Sequence, residues 1–262
     1  MITNDLNIIS SHDLREKLKS MPKEKRFPLG IKAIDYLTRG FGQGELIIIT
    51  GYSGHGKTTL AQNFTTNISR NKMNCLWFSF ELTSQQFLRK FNEPLPLFYI
   101  PEKNTATGHK YIENAVEEAM KSHKINAVFI DHLHYIVEML PGSGMNQSAV
   151  IGAACRSLKT FAVKHGITIF LIAHTTQPRG DEPPNLGSIR DSSFIAQESD
   201  AVYCISRIRK KGYSSEEYGT DSWFTILKQR ETGNLGKKVR LTFENNTYVE
   251  AITSDDERKV QV

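Results

Sequence analysis

Residues 51 to 58 have the types and the spacing that hold the phosphates of a nucleotide. The segment reads Gly-Tyr-Ser-Gly-His-Gly-Lys-Thr and matches G-x-x-x-x-G-K-[ST] at every fixed position. Its glycines let backbone amides turn toward the β-phosphate, and a following helix adds the positive end of its dipole. In this pattern Lys57 reaches the β- and γ-phosphates, and the Thr58 hydroxyl binds Mg²⁺. ATP or a related nucleotide is therefore the predicted ligand, together with Mg²⁺. The predicted contacts are Gly51, Ser53, Gly54, His55, Gly56, Lys57, Thr58 and Thr59.

Two carboxylates follow apolar, strand-like runs. Asp131 ends the run Val-Phe-Ile, and it is predicted to bind Mg²⁺ through a water molecule. Glu81 follows Phe-Ser-Phe, where a carboxylate can orient the water that attacks the γ-phosphate. The alternative for Glu81 is an acid that caps a helix beginning near Thr83.

Three further side chains could act on a phosphate. His174 ends another apolar run, where a neutral imidazole can bind the γ-phosphate and relay its presence, although a lone histidine is usually structural. Apart from His55 in the phosphate loop, the other histidines receive no role. Lys228 and Arg230 alternate on one face of a strand, and no acid in the sequence obviously neutralises them. A cation aimed at a transferring phosphoryl group accelerates the reaction, but a solvated edge strand also explains the pair.

Alternating strand and helix signals must position these side chains. Apolar runs predict strands at 46–50, 75–80, 127–130, 167–173 and 200–205, with another at 223–228. Helices between them predict an α/β fold with a mostly parallel central sheet covered on both faces. Strands at 239–243 and 248–252 flank Glu-Asn-Asn and predict a C-terminal β-hairpin. Ligands bind at the carboxyl ends of such strands, which is where Lys57, Glu81, Asp131 and His174 are expected.

The composition sets few limits on partners. The chain has 262 residues, 23% of them charged, and a formal net charge of +5, which permits a polyanionic partner without requiring one. Its three cysteines lack metal-ligand spacing and are predicted to be buried, reduced thiols. No apolar run approaches the length of about 18 residues that spans a membrane. We therefore expect a cytoplasmic protein, or one in an equivalent reducing compartment.

A short amphipathic helix is predicted near the N-terminus, at 13–21. Ser10 can cap it, and Leu14, Leu18 and Met21 share one face. A helix of this length needs a docking partner, which is either its own domain or a neighbouring subunit. We accordingly divide the chain into a helix and linker at 1–26, which on the second alternative is a subunit-clasping arm, a RecA-like main domain at 27–252 and a charged tail at 253–262.

In this order, the motifs resemble the RecA-type motor domain of the DnaB-like hexameric replicative helicases. The resemblance covers roughly residues 27 to 252. His174 stands where DnaB proteins carry glutamine, and in this respect the chain is more similar to the branch of the phage primase-helicases and Twinkle. Beyond the phosphate loop, it rests on these segments: Pro28-Leu-Gly-Ile, Asp35-Tyr-Leu, Phe78-Ser-Phe-Glu81, Phe129-Ile-Asp131-His-Leu, the block from Ile189 to Asp200, and Lys228-Gln-Arg230 with Thr232-Gly233.

The resemblance implies a RecA-like P-loop NTPase fold and a ring, usually hexameric, with ATP between subunits. Lys228 and Arg230 would then act on the neighbouring subunit's nucleotide. Glycine- and proline-rich segments at 141–146 and 175–187 would follow single-stranded DNA, although they hold few cations. The implied DNA contacts are Arg179, Gly180, Asn146 and Arg190.

Two functions remain open at this point. One is an ATP-driven DNA helicase of replication that moves along single-stranded DNA and unwinds duplex, with a primase or a helicase loader as a further partner. The other is a RecA/KaiC-like regulatory or loader-type ATPase that assembles with nucleotide but does not unwind DNA. The phosphate loop suits both functions.

Overall fold

The computed structural model describes residues 8–21, 25–102, 108–136, 147–175, 184–189, 192–209 and 218–251. In chain order the helices and strands are α1 (Ser11–Ser20), β1 (Arg26–Phe27), α2 (Lys32–Thr38), β2 (Phe41–Gly42), β3 (Leu46–Gly51), α3 (Lys57–Arg70), β4 (Asn74–Ser79), α4 (Ser84–Leu88), α5 (His109–Ser122), β5 (Ile125–Asp131), α6 (Gln147–His165), β6 (Thr168–His174), α7 (Ser192–Glu198), β7 (Ala201–Arg209), β8 (Tyr218–Gln229), β9 (Lys238–Glu244) and β10 (Thr247–Glu250).

An eight-stranded sheet organises these elements. Its strand order is β10-β9-β8-β7-β3-β6-β5-β4. The five strands from β7 to β4 are parallel, and β8, β9 and β10 extend the sheet with antiparallel pairs. The predicted α/β class, the mostly parallel sheet and the C-terminal hairpin are therefore confirmed.

Helices cover both faces of the sheet, because consecutive residues of its central strands are apolar and point to opposite faces. Ile47 and Ile49 of β3 share a buried cluster with Phe64 of α3. Leu46 and Ile48 of the same strand belong to a second buried cluster that includes residues of α5 and α6. Successive side chains of a strand point to opposite faces, so α3 lies on one face and α5 and α6 lie on the other.

The hairpin of β9 and β10 turns at two asparagines. Asn245 and Asn246 have φ angles of 47° and 58°, in the left-handed region that asparagine tolerates better than most residues. Phe243 pairs with Tyr248 next to this turn. The turn was predicted at these residues, but β10 ends at Glu250, and Ile252 lies outside the described residues.

Helix α1 is capped by Ser10 as predicted, but it spans Ser11–Ser20 rather than 13–21 and lies exposed. Ser10 accepts a hydrogen bond from the backbone N–H of Asp13 at 3.1 Å and so caps the helix. No residue of α1 is buried, and Leu14, Leu18 and Met21 are 46%, 55% and 51% exposed. An apolar face of this kind is left available for another surface.

The three cysteines, Cys75, Cys155 and Cys204, are buried and unpaired by disulfides, as predicted. Burial raises the pKa of each thiol, so all three are protonated at neutral pH. Across the part of the chain that the structure describes, no helix has the length and apolar character needed to cross a membrane.

Candidate active site

The phosphate loop joins β3 to α3 at the carboxyl end of the parallel strands. Gly51 and Gly56 have φ angles of 149° and 90°. A Cβ atom would lie 2.2 Å from the carbonyl oxygen of Ile205 at the first position and 2.1 Å from Oη of Tyr248 at the second. Only glycine fits both places, and Gly56 is the residue from which α3 begins.

Replacing Gly56 tests this close approach. The Gly56→Ala substitution adds a clash with a buried tyrosine to the cost of a left-handed backbone, which is roughly 1–2 kcal/mol for a residue with a Cβ. Gly54→Ala is the matched control because Gly54 has a φ of 75° but no atom within 4 Å of its added Cβ. We expect Gly56→Ala to bind a fluorescent ATP analogue at least about tenfold more weakly than Gly54→Ala, a difference of about 1.4 kcal/mol. Equal affinities would show that Tyr248 does not restrict the loop.

Lys57 is folded into the loop. Its Nζ donates hydrogen bonds of 3.0 Å to the carbonyl oxygens of Gly51 and Tyr52. Burial lowers the pKa of Lys57, whereas the nearby carboxylates of Asp131 and Glu81 raise it. The ammonium group is therefore surrounded by the acceptors expected around a cation that faces phosphates.

Asp131 and Thr58, the two residues predicted to bind Mg²⁺, are in direct contact. The Thr58 hydroxyl donates a 2.7 Å hydrogen bond to Oδ2 of Asp131. The other carboxylate oxygen, Oδ1, is buried without a hydrogen-bond partner. Burial raises the pKa of Asp131 to about 6, and the hydrogen bond from Thr58 opposes this rise. A buried carboxylate oxygen beside a hydroxyl suits a hard cation, so these residues fit the predicted Mg²⁺.

Strand register brings the other predicted side chains to the same edge. Gly51 is paired with His174 across β3 and β6, and Asp131 is paired with Ser79 across β5 and β4. Glu81 follows Ser79 by two residues, and its Oε1 accepts a hydrogen bond from Nε2 of His174 at 3.3 Å. Glu81, Asp131, His174 and the phosphate loop therefore surround one space, as the strand ends predicted.

Glu81 does not cap helix α4. Thr83 accepts a hydrogen bond from the backbone N–H of Gln86, and the Gln86 side chain accepts one from the backbone N–H of Thr83. This capping box satisfies the start of the helix without the glutamate. The alternative role considered for Glu81 is therefore wrong, and its carboxylate lies instead beside the rings of His132 and His174.

His174 is uncharged at neutral pH. Burial lowers the pKa of its imidazole, and the charge of Lys57 lowers it further, although Glu81 acts in the opposite direction. A neutral ring can donate through one nitrogen and accept through the other. The residue therefore has the protonation state that binding and relaying a phosphate signal requires.

His55 lies inside the phosphate loop but faces the protein. Its Nδ1 accepts a hydrogen bond from the backbone N–H of Arg207 at 3.1 Å. Its ring packs edge-on against Tyr52 and Tyr218, with centroids 5.2 Å and 4.9 Å away. Burial lowers its pKa to about 4, so the neutral ring links the loop to β7 and leaves only its backbone for a ligand.

A cavity of about 180 Å³ lies beside the loop, and no sequence motif predicts it. Gly54, Gly56 and Thr59 line one side of it, and residues from β7 to β10 line the rest, among them Arg207, Phe243 and Tyr248. The Arg207 guanidinium donates to the carbonyl oxygen of Gly219 at 2.9 Å. These residues lie on strands whose pairing is antiparallel and long-range, so no local spacing could have joined them.

Lys228 and Arg230 have partners inside the chain, which corrects the expectation that nothing neutralises them. Nζ of Lys228 donates to the carbonyl oxygens of Ala196 and Ser199. Arg230 pairs with Oδ1 of Asp200 at 3.1 Å and donates to the carbonyl oxygen of Gln197 at 2.6 Å. The last turn of a helix leaves its carbonyls unpaired, and β8 brings both cations to the end of α7.

The same two cations lie far from the phosphate loop of their own chain. The backbone of Arg230 donates to the carbonyl oxygen of Asp200, and that of Asp200 donates to Leu46, the first residue of β3. Gly51 is the last residue of that strand, five residues further on, or roughly 16 Å at about 3.3 Å per residue. Arg230 therefore lies near the amino ends of the parallel strands, whereas the phosphate loop follows the carboxyl end of β3. Half of the Arg230 side chain is exposed.

Asp200 holds this edge together, and its replacement should lower stability. Its Oδ2 accepts from the backbone N–H of Leu46 at 2.8 Å and from Nζ of Lys159 at 2.6 Å. Asp200→Asn removes the charge that pairs with Lys159 and Arg230, so we expect the free energy of unfolding to fall by roughly 1–3 kcal/mol. The control is Asp221→Asn, whose partner Arg240 is half exposed and whose loss should cost less than about 1 kcal/mol. Urea denaturation of both variants measures the difference, and equal losses would contradict this assignment.

The four residues predicted to contact DNA, Arg179, Gly180, Asn146 and Arg190, lie outside the described residues. So do segments 141–146 and 176–183. Their predicted role stays a prediction.

The chain is similar in sequence to replicative DNA helicases. Replicative DNA helicase DnaB of Mycoplasma pneumoniae is 26% identical over 89% of this chain and 59% of its own length. The protein of the same name from Mycoplasma genitalium is 26% identical over 83% of this chain and 54% of its own length. The chain therefore spans a little over half the length of these curated relatives.

Solved structures show the same fold. The ATPase domain of G40P superimposes with a TM-score of 0.74 at 19% identity, covering 92% of this chain and 97% of that domain. A DnaB-like replicative helicase, solved in a study of its interactions with primase, gives a TM-score of 0.75 at 19% identity, covering 92% of this chain and 66% of that one.

The sequence profile of the DnaB-like helicase C terminal domain matches residues 27–95 and 93–249, nearly the whole region that carries the sheet and the phosphate loop. The chain belongs to the DnaB-like helicase C-terminal domain family.

Proposed function

We propose that this chain is the ATP-hydrolysing motor of a ring-forming replicative DNA helicase. The observation that carries the proposal is that the predicted site residues lie at two opposite ends of the parallel strands. Lys57, Glu81, Asp131 and His174 surround the phosphate loop, whereas Arg230 lies at the other edge. Such a chain binds a nucleotide at its own phosphate loop and supplies Arg230 to the nucleotide of another copy, so it works as part of an assembly.

Within one subunit, each side chain has a separate task in hydrolysis. Lys57 binds the β- and γ-phosphates, and Glu81 orients a water molecule toward the γ-phosphate and accepts its proton. His174 contacts Glu81 and can pass the presence of the γ-phosphate to the segment that follows β6. When bound, Mg²⁺ supplies charge neutralisation between the phosphates, with Thr58 as a direct ligand and Asp131 acting through water.

The cavity beside the loop is the proposed place of the ribose and the base. It borders Gly54 and Gly56, so a nucleotide whose phosphates lie in the loop extends into it. Phe243 and Tyr248 offer aromatic surface there, and Arg207 offers a planar cation that can stack on a base.

Arg230 and Lys228 would complete the site of a neighbouring copy. A head-to-tail contact that joins one edge of the sheet to the phosphate loop of the next copy is heterologous, and it generates a ring when the rotation closes. Six subunits is the number that the family resemblance implies. The exposed apolar face of α1 supports its proposed role as an arm that docks on a neighbour.

Single-stranded DNA is the proposed substrate of the ring. The segments that follow β5 and β6 begin at the edge where Asp131 and His174 face the nucleotide, so a change at the γ-phosphate can reach them directly. The curated relatives are named replicative DNA helicases, which supports translocation coupled to unwinding. A primase or a helicase loader is a further proposed partner, and the cytoplasm or an equivalent reducing compartment is the proposed location.

Three measurements on the full chain test this function. We expect ATP hydrolysis to rise with single-stranded DNA, the mass to increase to that of a ring with a nonhydrolysable ATP analogue, and a forked duplex to be unwound. Lys57→Ala is the control for all ATP-dependent steps. A monomer whose hydrolysis ignores single-stranded DNA would refute the helicase. Nucleotide-dependent assembly without unwinding would instead identify a regulatory or loader-type ATPase.

A further inference from the structure

Two imidazoles and one carboxylate converge at the ends of β4, β5 and β6. Oε1 of Glu81 lies 3.0 Å from Nδ1 of His132 and 3.3 Å from Nε2 of His174. The two histidine rings are edge-on to each other, with centroids 4.5 Å apart. Among the residues that the structure describes, this is the one group of three potential metal ligands whose donor atoms all lie within 4.8 Å. The proposed hydrolysis uses Glu81 and His174 but gives His132 no part.

The spacing of the three donor atoms fits a small tetrahedral ion. Zinc binds nitrogen and carboxylate oxygen at about 2.0–2.2 Å, which places neighbouring ligands of a tetrahedron about 3.3–3.5 Å apart. The two distances to Glu81 are already 3.0 Å and 3.3 Å. Nδ1 of His132 is buried and makes no hydrogen bond, despite its closeness to the carboxylate. A buried nitrogen without a hydrogen bond can donate its lone pair to an ion placed among the three ligands.

The chemistry of these donors selects the class of ion. A neutral imidazole nitrogen and an ionised carboxylate are the forms in which histidine and glutamate bind a metal ion. Imidazole suits Zn²⁺ and Co²⁺, whereas Mg²⁺ prefers oxygen. The ammonium of Lys57 opposes a cation here, and the carboxylates of Glu81 and Asp131 offset it.

We propose that Glu81, His132 and His174 form a second cation site, distinct from the Mg²⁺ site, that binds a borderline-soft divalent ion such as Zn²⁺ or Co²⁺. Three protein ligands leave the fourth tetrahedral position to water. An ion held there withdraws Glu81 from the attacking water and His174 from the γ-phosphate, so it stops ATP hydrolysis. This inhibitory effect rests on the proposed function, whereas the metal site itself does not.

Cobalt is the probe for the site because tetrahedral Co²⁺ absorbs visible light strongly. The nucleotide-free full chain, titrated with Co²⁺, should bind one equivalent with this absorption, and Zn²⁺ should abolish the band by displacement. The buried, protonated cysteines do not compete for the probe. His132→Asn should weaken Co²⁺ binding by at least about tenfold, since even the loss of a supporting contact costs 10–100-fold.

Two further variants keep this test decisive. His123→Asn is the matched control because His123 is exposed and directly follows α5, near the start of β5 rather than its end. Its Co²⁺ affinity should equal that of the parent chain. Glu81→Gln replaces a partly exposed ligand and should weaken Co²⁺ binding as much as His132→Asn does. It therefore tests the site even if His132→Asn folds poorly. The absence of a visible band, or an unchanged affinity in both ligand variants, would overturn the site.

The inhibitory effect is measured separately. Hydrolysis of Mg·ATP should fall as Zn²⁺ rises, and His132→Asn should require at least about tenfold more Zn²⁺ for half inhibition, each variant being compared with its own metal-free rate. Cobalt binding with hydrolysis that ignores Zn²⁺ would overturn the inhibition and support the site alone. A chain that binds Co²⁺ but hydrolyses no ATP even without Zn²⁺ would refute the proposed function and still support the site.

Discussion

Glu81→Gln should lower kcat for ATP hydrolysis by roughly 10²–10⁴-fold, which is the usual contribution of a positioned general base. Glutamine keeps the size and one acceptor oxygen of the side chain but cannot take the proton from the attacking water. The affinity for nucleotide should hold within a few fold, because the proposed contacts with the phosphates come from the phosphate loop, including Lys57 and Thr58, and not from Glu81. Single-turnover hydrolysis together with equilibrium binding of an ATP analogue separates the two effects.

The matched control for this substitution is Glu93→Gln, an exposed glutamate after α4 whose carboxylate accepts the backbone N–H of Leu95 at 3.1 Å. Its rate should equal that of the parent chain. If Glu81→Gln hydrolysed ATP at more than about a tenth of the parent rate, the base would have to be another group. Weaker nucleotide binding with an unchanged rate would instead assign Glu81 to ligand binding.

The half of the site around the phosphate loop could be predicted from the sequence because its signals are local. The phosphate loop is one continuous motif, and Asp131 and His174 each end an apolar run of their own. Parallel strands place their carboxyl ends at one edge whatever their order in the sheet. Recognising the strand ends was therefore sufficient to bring these residues together, without knowledge of the strand order.

The rest of the site depends on contacts that no local spacing reveals. Arg207 and Tyr248 line the cavity beside the phosphate loop only because β7 to β10 pair in antiparallel order, with register shifts in the β7–β8 pair. The ion pair of Asp200 with Arg230 depends on the same pairing. His132 carried no signal of its own, because its closeness to Glu81 arises from the neighbouring ends of β4 and β5.

Arg230→Ala should reduce ATP turnover by roughly 10³–10⁵-fold, the range measured for an arginine that stabilises a transferring phosphoryl group. The affinity for nucleotide should hold, since Arg230 lies at the opposite edge of the sheet from its own phosphate loop. The substitution also removes the ion pair with Asp200, so stability must be measured alongside activity. Arg240→Ala is the matched control, because Arg240 forms a half-exposed pair with Asp221 on β8 and has no proposed part in hydrolysis.

Mixing two inactive variants tests whether Arg230 acts on a neighbouring subunit. Lys57→Ala removes the phosphate-binding lysine but keeps Arg230. Arg230→Ala removes the arginine but keeps an intact phosphate loop. In a mixed ring, some interfaces join an intact loop to an intact arginine, so hydrolysis should return at up to about a quarter of the parent rate for random equal mixing, if interfaces fire independently. Co-assembly is established by the mass of differently tagged subunits. A mixture that assembles but stays inactive at every ratio would argue against the shared site, because each subunit would then need both residues itself.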